Sequence, residues 1–236
     1  MKANFNIKFD KNSSFVWIEN TYKLRVVIGI LGMLLPILLW FFLYLDSGYT
    51  RPLPSISHYY YTRVVGIFMI IIGVMGIFLI IYKGEEKKDF YVSLAAGLSA
   101  MMVLLFPTNS IISQYPDSNY PYFNTVLEHS AFREGAHFVF AAIFLGCLAY
   151  MSLFIFTKSD KKKKDQTERK RLRNRIYRIC GLLMIVAMVI IAIKPSDLDN
   201  LVFWMEAIAV ELFGFAWLVK GEALFRDKKA NFAALS

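Results

Sequence analysis

The 236-residue chain is poor in the residues from which reactive centres are usually assembled: it holds three histidines and two cysteines. Both cysteines, Cys147 and Cys180, fall inside apolar runs, so no disulfide framework is expected and the thiols read as packed groups. Neither HExxH nor HxxxH occurs, which removes the compact helix-borne zinc signatures. Ser55, Ser57 and Ser130 lie near histidines in sequence, but no GxSxG elbow surrounds them, so nucleophilic catalysis has little support. Some twenty polar and mixed residues precede the first apolar block, and that block is too long for a signal h-region, so no cleavable signal peptide is expected. No internal repeat is visible.

Charge is also missing over long stretches. The chain is 57% hydrophobic with a positive mean hydropathy, and its apolar residues come in blocks separated by charged loops. That is the pattern of a polytopic membrane protein. Gly135 to Thr157 carries no charged side chain other than the imidazole of His137, and 23 residues at about 1.5 Å each cross a bilayer core. Further spans are expected at Leu24–Leu45, Thr62–Tyr82, Phe90–Phe106, Ile176–Ile193 and Leu201–Leu218. The fold class is therefore an all-α bundle of six transmembrane helices. Residues 1–23 form an interfacial N-terminal segment, 24–220 the membrane domain and 221–236 a polar tail.

Local signals refine this picture. Pro36 should kink the first span or mark a close contact. Pro107 ends the third. Thr125 followed by Glu128 reads as a capping box, which starts the fourth helix near Val126. On that helix Gly135, Val139, Ala142, Gly146 and Ala149 share a face, expected to meet another helix closely.

Basic residues are distributed by side. Of 27 Lys and Arg, all but Arg51, Arg63, Arg133 and Lys194 fall in the N-terminal segment, the second and fourth loops and the tail. The positive-inside rule places that set, and both termini, in the cytoplasm. The basic 158–178 loop is expected to contact anionic lipid headgroups; aromatic residues do not interleave with its charges, so nucleic acid is not an expected partner. Self-association is left open.

The opposite loops collect His58, His129 and His137 together with several carboxylates, and the sixth span adds Glu206 and Glu211. A carboxylate at membrane depth costs at least ~2.5 kcal/mol on insertion scales unless paired, protonated or facing a cavity. Glu206 and Glu211 point about 140° apart on an ideal helix and are not expected to serve one ligand. Three readings stay open. His58, Arg63, Glu134, His137 and Glu206 could line an outward-facing pocket between helices 2, 4 and 6, taking a lipid headgroup or small ligand. They could instead pair among themselves. Or His58, His137 and Glu134 could hold Zn in a metal-dependent lipid hydrolase, since Glu134 and His137 share a helix face at i, i+3. His129 is a poor fourth ligand if it lies on the same continuous helix, roughly 12 Å from His137.

Five stretches, PSISHYYYT (Pro54–Thr62), LFPT (Leu105–Thr108), HFVFAAIFLGCLAYMSLFIFTK (His137–Lys158), RNRIYRICG (Arg173–Gly181) and FWMEAIAVELFGFAWLVKG (Phe203–Gly221), together resemble a family of uncharacterised six-helix bacterial integral membrane proteins. The serine motif and the His-led fourth helix are distantly similar to DRAM-like six-helix proteins. That resemblance implies a six-helix fold and no activity. A remoter likeness is to the CREST superfamily of seven-helix ceramidases and adiponectin receptors, which hold zinc; this chain lacks their HxxxH pair and seventh helix.

Overall fold

A computed structural model describes residues 21–111, 124–125, 127–159, 166–193 and 200–225. Among these the chain is all-α and contains no strand. The helices are α1 (Thr21–Ser47), α2 (Val65–Ile81), α3 (Lys87–Leu105), α4 (Ala131–Tyr150, continued by a π turn at Met151–Ile155), α5 (Glu168–Ile193) and α6 (Leu201–Lys220), with a 3₁₀ segment at Ile56–Tyr61 between α1 and α2. Five are long and apolar enough to cross a membrane; α2, with 17 residues, is shorter. The chain is a polytopic helical membrane protein.

Each helix packs against its neighbours in sequence, and α6 closes the ring against α1. Glycines set the closest approaches. A Cβ on Gly29 would lie 2.7 Å from the Gly214 carbonyl oxygen, so α1 and α6 touch backbone to backbone. Gly97 and Gly76 do the same for α3 and α2, with 2.6 Å between a Cβ on Gly97 and the Gly76 oxygen. Outward faces are apolar, as at Ile37, Ile70, Leu105, Val139 and Leu182. In water such a surface would be a liability; against lipid tails it has no cost.

One end of the bundle, called here the basic end, is filled by aromatic rings around Trp217, itself fully buried. Phe78, Tyr82, Phe156 and Phe213 all lie edge-on to it, with centroids 5.1–5.8 Å away. Around these rings run the ion pairs of the loops. Lys158 Nζ reaches Asp89 at 2.5 Å and Glu86 at 3.0 Å, and Lys220 reaches Glu85 at 3.7 Å. Although partial burial opposes it, the two carboxylates hold the Lys158 ammonium above its ordinary range.

Several expectations need correction. The fourth helix starts at Ala131, not near Val126: residues 127–130 are non-helical, and Ser130 is the N-cap, its Oγ accepting from Arg133 N. Asn109 Oδ1 takes the Ser130 N–H and fixes the helix start there. Helix α2 starts at Val65 rather than Thr62, because Thr62 Oγ1 bonds Tyr59 O and Val64 N and holds a turn. The small-residue face of α4 is not a tight contact along its length. Gly135, Val139 and Ala142 are exposed, and a Cβ on Gly146 would meet only Met188 Cε at 3.8 Å. Helix α1 runs unbroken through Pro36, which is buried. The interfacial segment before residue 21, the run Lys161–Lys164 and the tail beyond residue 225 lie outside the described residues.

Candidate functional site

The other end, the histidine end, is closed by chain that is not α-helical. The segment Pro54–Thr62 turns back into the bundle, and Ile56, Ser57, His58, Tyr59 and Tyr61 are buried. Buried backbone is stable only if its polar groups find partners. They do. Ser55, in extended conformation, caps the 3₁₀ turn with its Oγ on Ser57 N at 3.1 Å. The Pro54 carbonyl accepts from Phe203 N at 2.9 Å, satisfying an N–H in the first turn of α6 that has no partner within its own helix. Tyr61 O accepts from Asn124 N at 2.9 Å, and the Tyr61 hydroxyl donates to the Thr108 carbonyl. Leu53 N donates to the Tyr59 hydroxyl. Burial pushes both phenols above their ordinary range, Tyr61 against the pull of nearby Arg133.

Within this segment Ser55 and Ser57 face opposite partners. Ser55 Oγ lies 3.0 and 2.8 Å from the two carboxyl oxygens of Glu206, and the Ile56 N–H donates to the same carboxyl at 2.6 Å. Ser57 Oγ lies 3.0 Å from His137 Nε2. The other ring nitrogen, Nδ1, lies 2.9 Å from the Phe106 carbonyl. Phe106 is the C-cap of α3, which stops short of Pro107, so its carbonyl is one that the helix leaves open. A carbonyl only accepts, so Nδ1 carries a proton; in the neutral ring Nε2 then accepts from the Ser57 hydroxyl. The result is a connected chain of polar groups, Glu206 – Ser55 – Ser57 – His137 – Phe106 O, linking α6, the re-entrant segment, α4 and α3. Glu206 lies about 8 Å and His137 about 9 Å along the axis from the starts of their helices.

A second cluster lies toward the rim. Buried Asn109 donates to Glu134 Oε2 at 2.7 Å, and His129, largely exposed, approaches the same carboxylate at 4.0 Å. The Arg133 guanidinium reaches Asn109 Oδ1 at 3.5 Å.

The five residues singled out from sequence thus fall into groups. Glu206 and His137 join through the Ser55–Ser57 stretch, and His58 is the next residue of that buried turn. Glu134 belongs to the rim cluster. Arg63 stands apart, on an exposed ion pair with Asp46 at 3.3 Å. Glu211 is half-buried further along α6. Among the described residues no three His, Cys, Asp or Glu side chains are placed to hold one metal ion. His58, His137 and Glu134 do not come together as a zinc set: both ring nitrogens of His137 are committed, and Glu134 is bonded to Asn109.

The Ser57–His137 pair has the spacing of a nucleophile and its base. Its surroundings do not complete that chemistry. The N–H groups of Ile56, Ser57 and His58 are taken by Glu206, Ser55 Oγ and Ser55 O, leaving none of the three for an oxyanion. What the arrangement does is fix polar groups in set orientations below the rim. Reading the sequence considered Ser55 and Ser57 only as nucleophiles and set them aside, and it passed over Asn109. The signal for the serines was their i, i+2 spacing in a segment too aromatic to be a solvated loop. Comparison with family models, with curated proteins and with solved structures found no match to this chain.

Proposed function

We propose that this membrane protein binds a lipid headgroup or small polar ligand at its histidine end, where the segment leading into α2 meets α4 and α6. The observation that supports this is the buried chain from Glu206 to His137. Buried polar groups are costly, and a bundle that needed only closure could have used apolar side chains, as the rings around Trp217 do. The rim cluster of Arg133, Glu134 and His129 offers charges of both signs at the entrance. The distribution of Lys and Arg supports a histidine end facing outward, with both termini in the cytoplasm of a bacterial cell. The DRAM-like resemblance accords with this reading without naming a ligand.

Native mass spectrometry of the purified protein tests it. A headgroup-bearing lipid or small metabolite should be retained by the wild type and lost from His137→Ala and Glu206→Gln, with coupling beyond ~0.5 kcal/mol in the double variant. Retention unchanged in both variants sinks the reading. Orientation is tested separately. An impermeant thiol reagent applied to intact cells should label Thr50→Cys and miss Thr167→Cys; the reverse inverts the topology.

A further inference from the structure

Away from the histidine end, an apolar groove of about 380 Å³ runs between the second halves of α4 and α5. Gly146 and Ala149 form its floor, with Phe154 on one wall and Ile185, Met188 and Val189 on the other. Its cause is local. Near the basic end, Gly181 brings the helices together: a Cβ there would lie 3.1 Å from the Ala149 carbonyl oxygen. Further along, Gly146 has no side chain to fill the space before Met188.

No groove residue is charged, but its end is marked by charge. Seven residues before Ile185 on α5, within about 20° of the same face and about 10 Å along the axis, stands Arg178; Arg171 is a further seven residues back. Both are exposed. Antiparallel packing puts Arg178 level with the last turn of α4, where the apolar span ends. An apolar slot opening sideways at lipid depth, with two guanidinium groups above its mouth, is complementary to a molecule with an alkyl chain below an anionic phosphate.

We infer that the α4–α5 groove is a binding site for an anionic phospholipid of the surrounding bilayer. One acyl chain lies along Gly146 and Ala149, and the phosphate meets Arg178 and Arg171. The site is independent of the histidine end, so either assignment can fail without the other.

The full chain is reconstituted in vesicles of equal phosphatidylglycerol and phosphatidylcholine, extracted in mild detergent, and its bound lipid identified by native mass spectrometry. Phosphatidylglycerol should be retained over phosphatidylcholine by roughly ten-fold or more, given about ten-fold per 1.4 kcal/mol and two arginines at the phosphate. Arg171→Gln with Arg178→Gln should abolish the preference. Gly146→Phe, which fills the groove and leaves every charge in place, should lower phosphatidylglycerol retention several-fold. If that variant melts at a lower temperature than the wild type, Ala192→Phe, at the exposed far end of the groove, gives the same reading. Equal retention of the two lipids by the wild type overturns the inference. So does full phosphatidylglycerol retention by the folded groove-filling variant, which would leave only diffuse charge attraction. A dimer that dissociates when the groove is filled also overturns it, giving the groove to a second copy of the chain.

Discussion

The two ends of the bundle are closed by opposite means. At the basic end, four aromatic rings from α2, α6 and the chain just beyond α2 and α4 meet at Trp217, and their cohesion is dispersion and edge-to-face contact. At the histidine end the segment before α2 is held by directed hydrogen bonds, from Ser55 and the Ile56 N–H to Glu206 and between Ser57 and His137. An aromatic plug tolerates small shifts, because its energy is spread over many weak contacts. A hydrogen-bonded closure does not, because an ångström of displacement leaves a buried polar group unpaired. The first arrangement serves stability, and the second fixes orientation.

Removing Trp217 should have the largest effect on that contrast. Trp217→Ala deletes the ring that Phe78, Tyr82, Phe156 and Phe213 all contact, and should cost about 3–5 kcal/mol, read as a large drop in melting temperature in detergent. A loss below about 1 kcal/mol would mean that the plug collapses freely around the gap. At the histidine end the effects should be smaller but coupled. His137→Ala leaves the Phe106 carbonyl and the Ser57 hydroxyl without partners and should cost about 1–3 kcal/mol. Combined with Ser57→Ala, the loss should be less than the sum by at least ~0.5 kcal/mol. Strict additivity would show that the two side chains do not depend on each other. Glu206→Gln keeps an acceptor for the Ile56 N–H and should cost about 1 kcal/mol in the same melt. The smallest effect belongs to Arg63. Arg63→Ala breaks an exposed pair with Asp46 and should change stability by less than ~1 kcal/mol, well below His137→Ala. A loss matching that of His137→Ala would tie Arg63 to the buried chain after all.

What was legible in the sequence was local, and the reason is physical. Apolar blocks and basic loops are local patterns, so the six spans could be placed, and the end of α3 followed from Pro107; the basic stretch before Ile176 read as loop, yet α5 already begins at Glu168. Long-range pairing leaves no local trace. Nothing near His137 indicates that its ring meets a serine 80 residues earlier in the chain. Thr125 and Glu128 satisfied a capping pattern, yet Ser130 caps the helix because Asn109, from a distant segment, holds its N–H. Glu206 was expected to need a partner at depth, with Arg63, His58 and His137 the candidates by depth. Its partners are a serine and a backbone N–H, groups common enough in any sequence to carry no signal. Likewise Gly146 matched a small-residue face, while the tightest crossings use Gly29 with Gly214 and Gly76 with Gly97, where the complementary glycine lies on another helix.

The link between Ser55 and Glu206 joins residues 151 apart in the chain. It therefore sets an order on assembly in the membrane. When α1 and α2 enter the bilayer, the segment between them already carries Ser55, the Ile56 N–H and the Pro54 carbonyl, whose partners are all on α6, the last of the described helices. Until α6 arrives those groups must stay at the water-facing surface, since exposure to hydrocarbon would cost several kcal/mol each. The turn can therefore settle only once α6 is in place. A chain interrupted before Leu201 would keep five helices and most of its apolar surface, and would still leave this end of the bundle open to water.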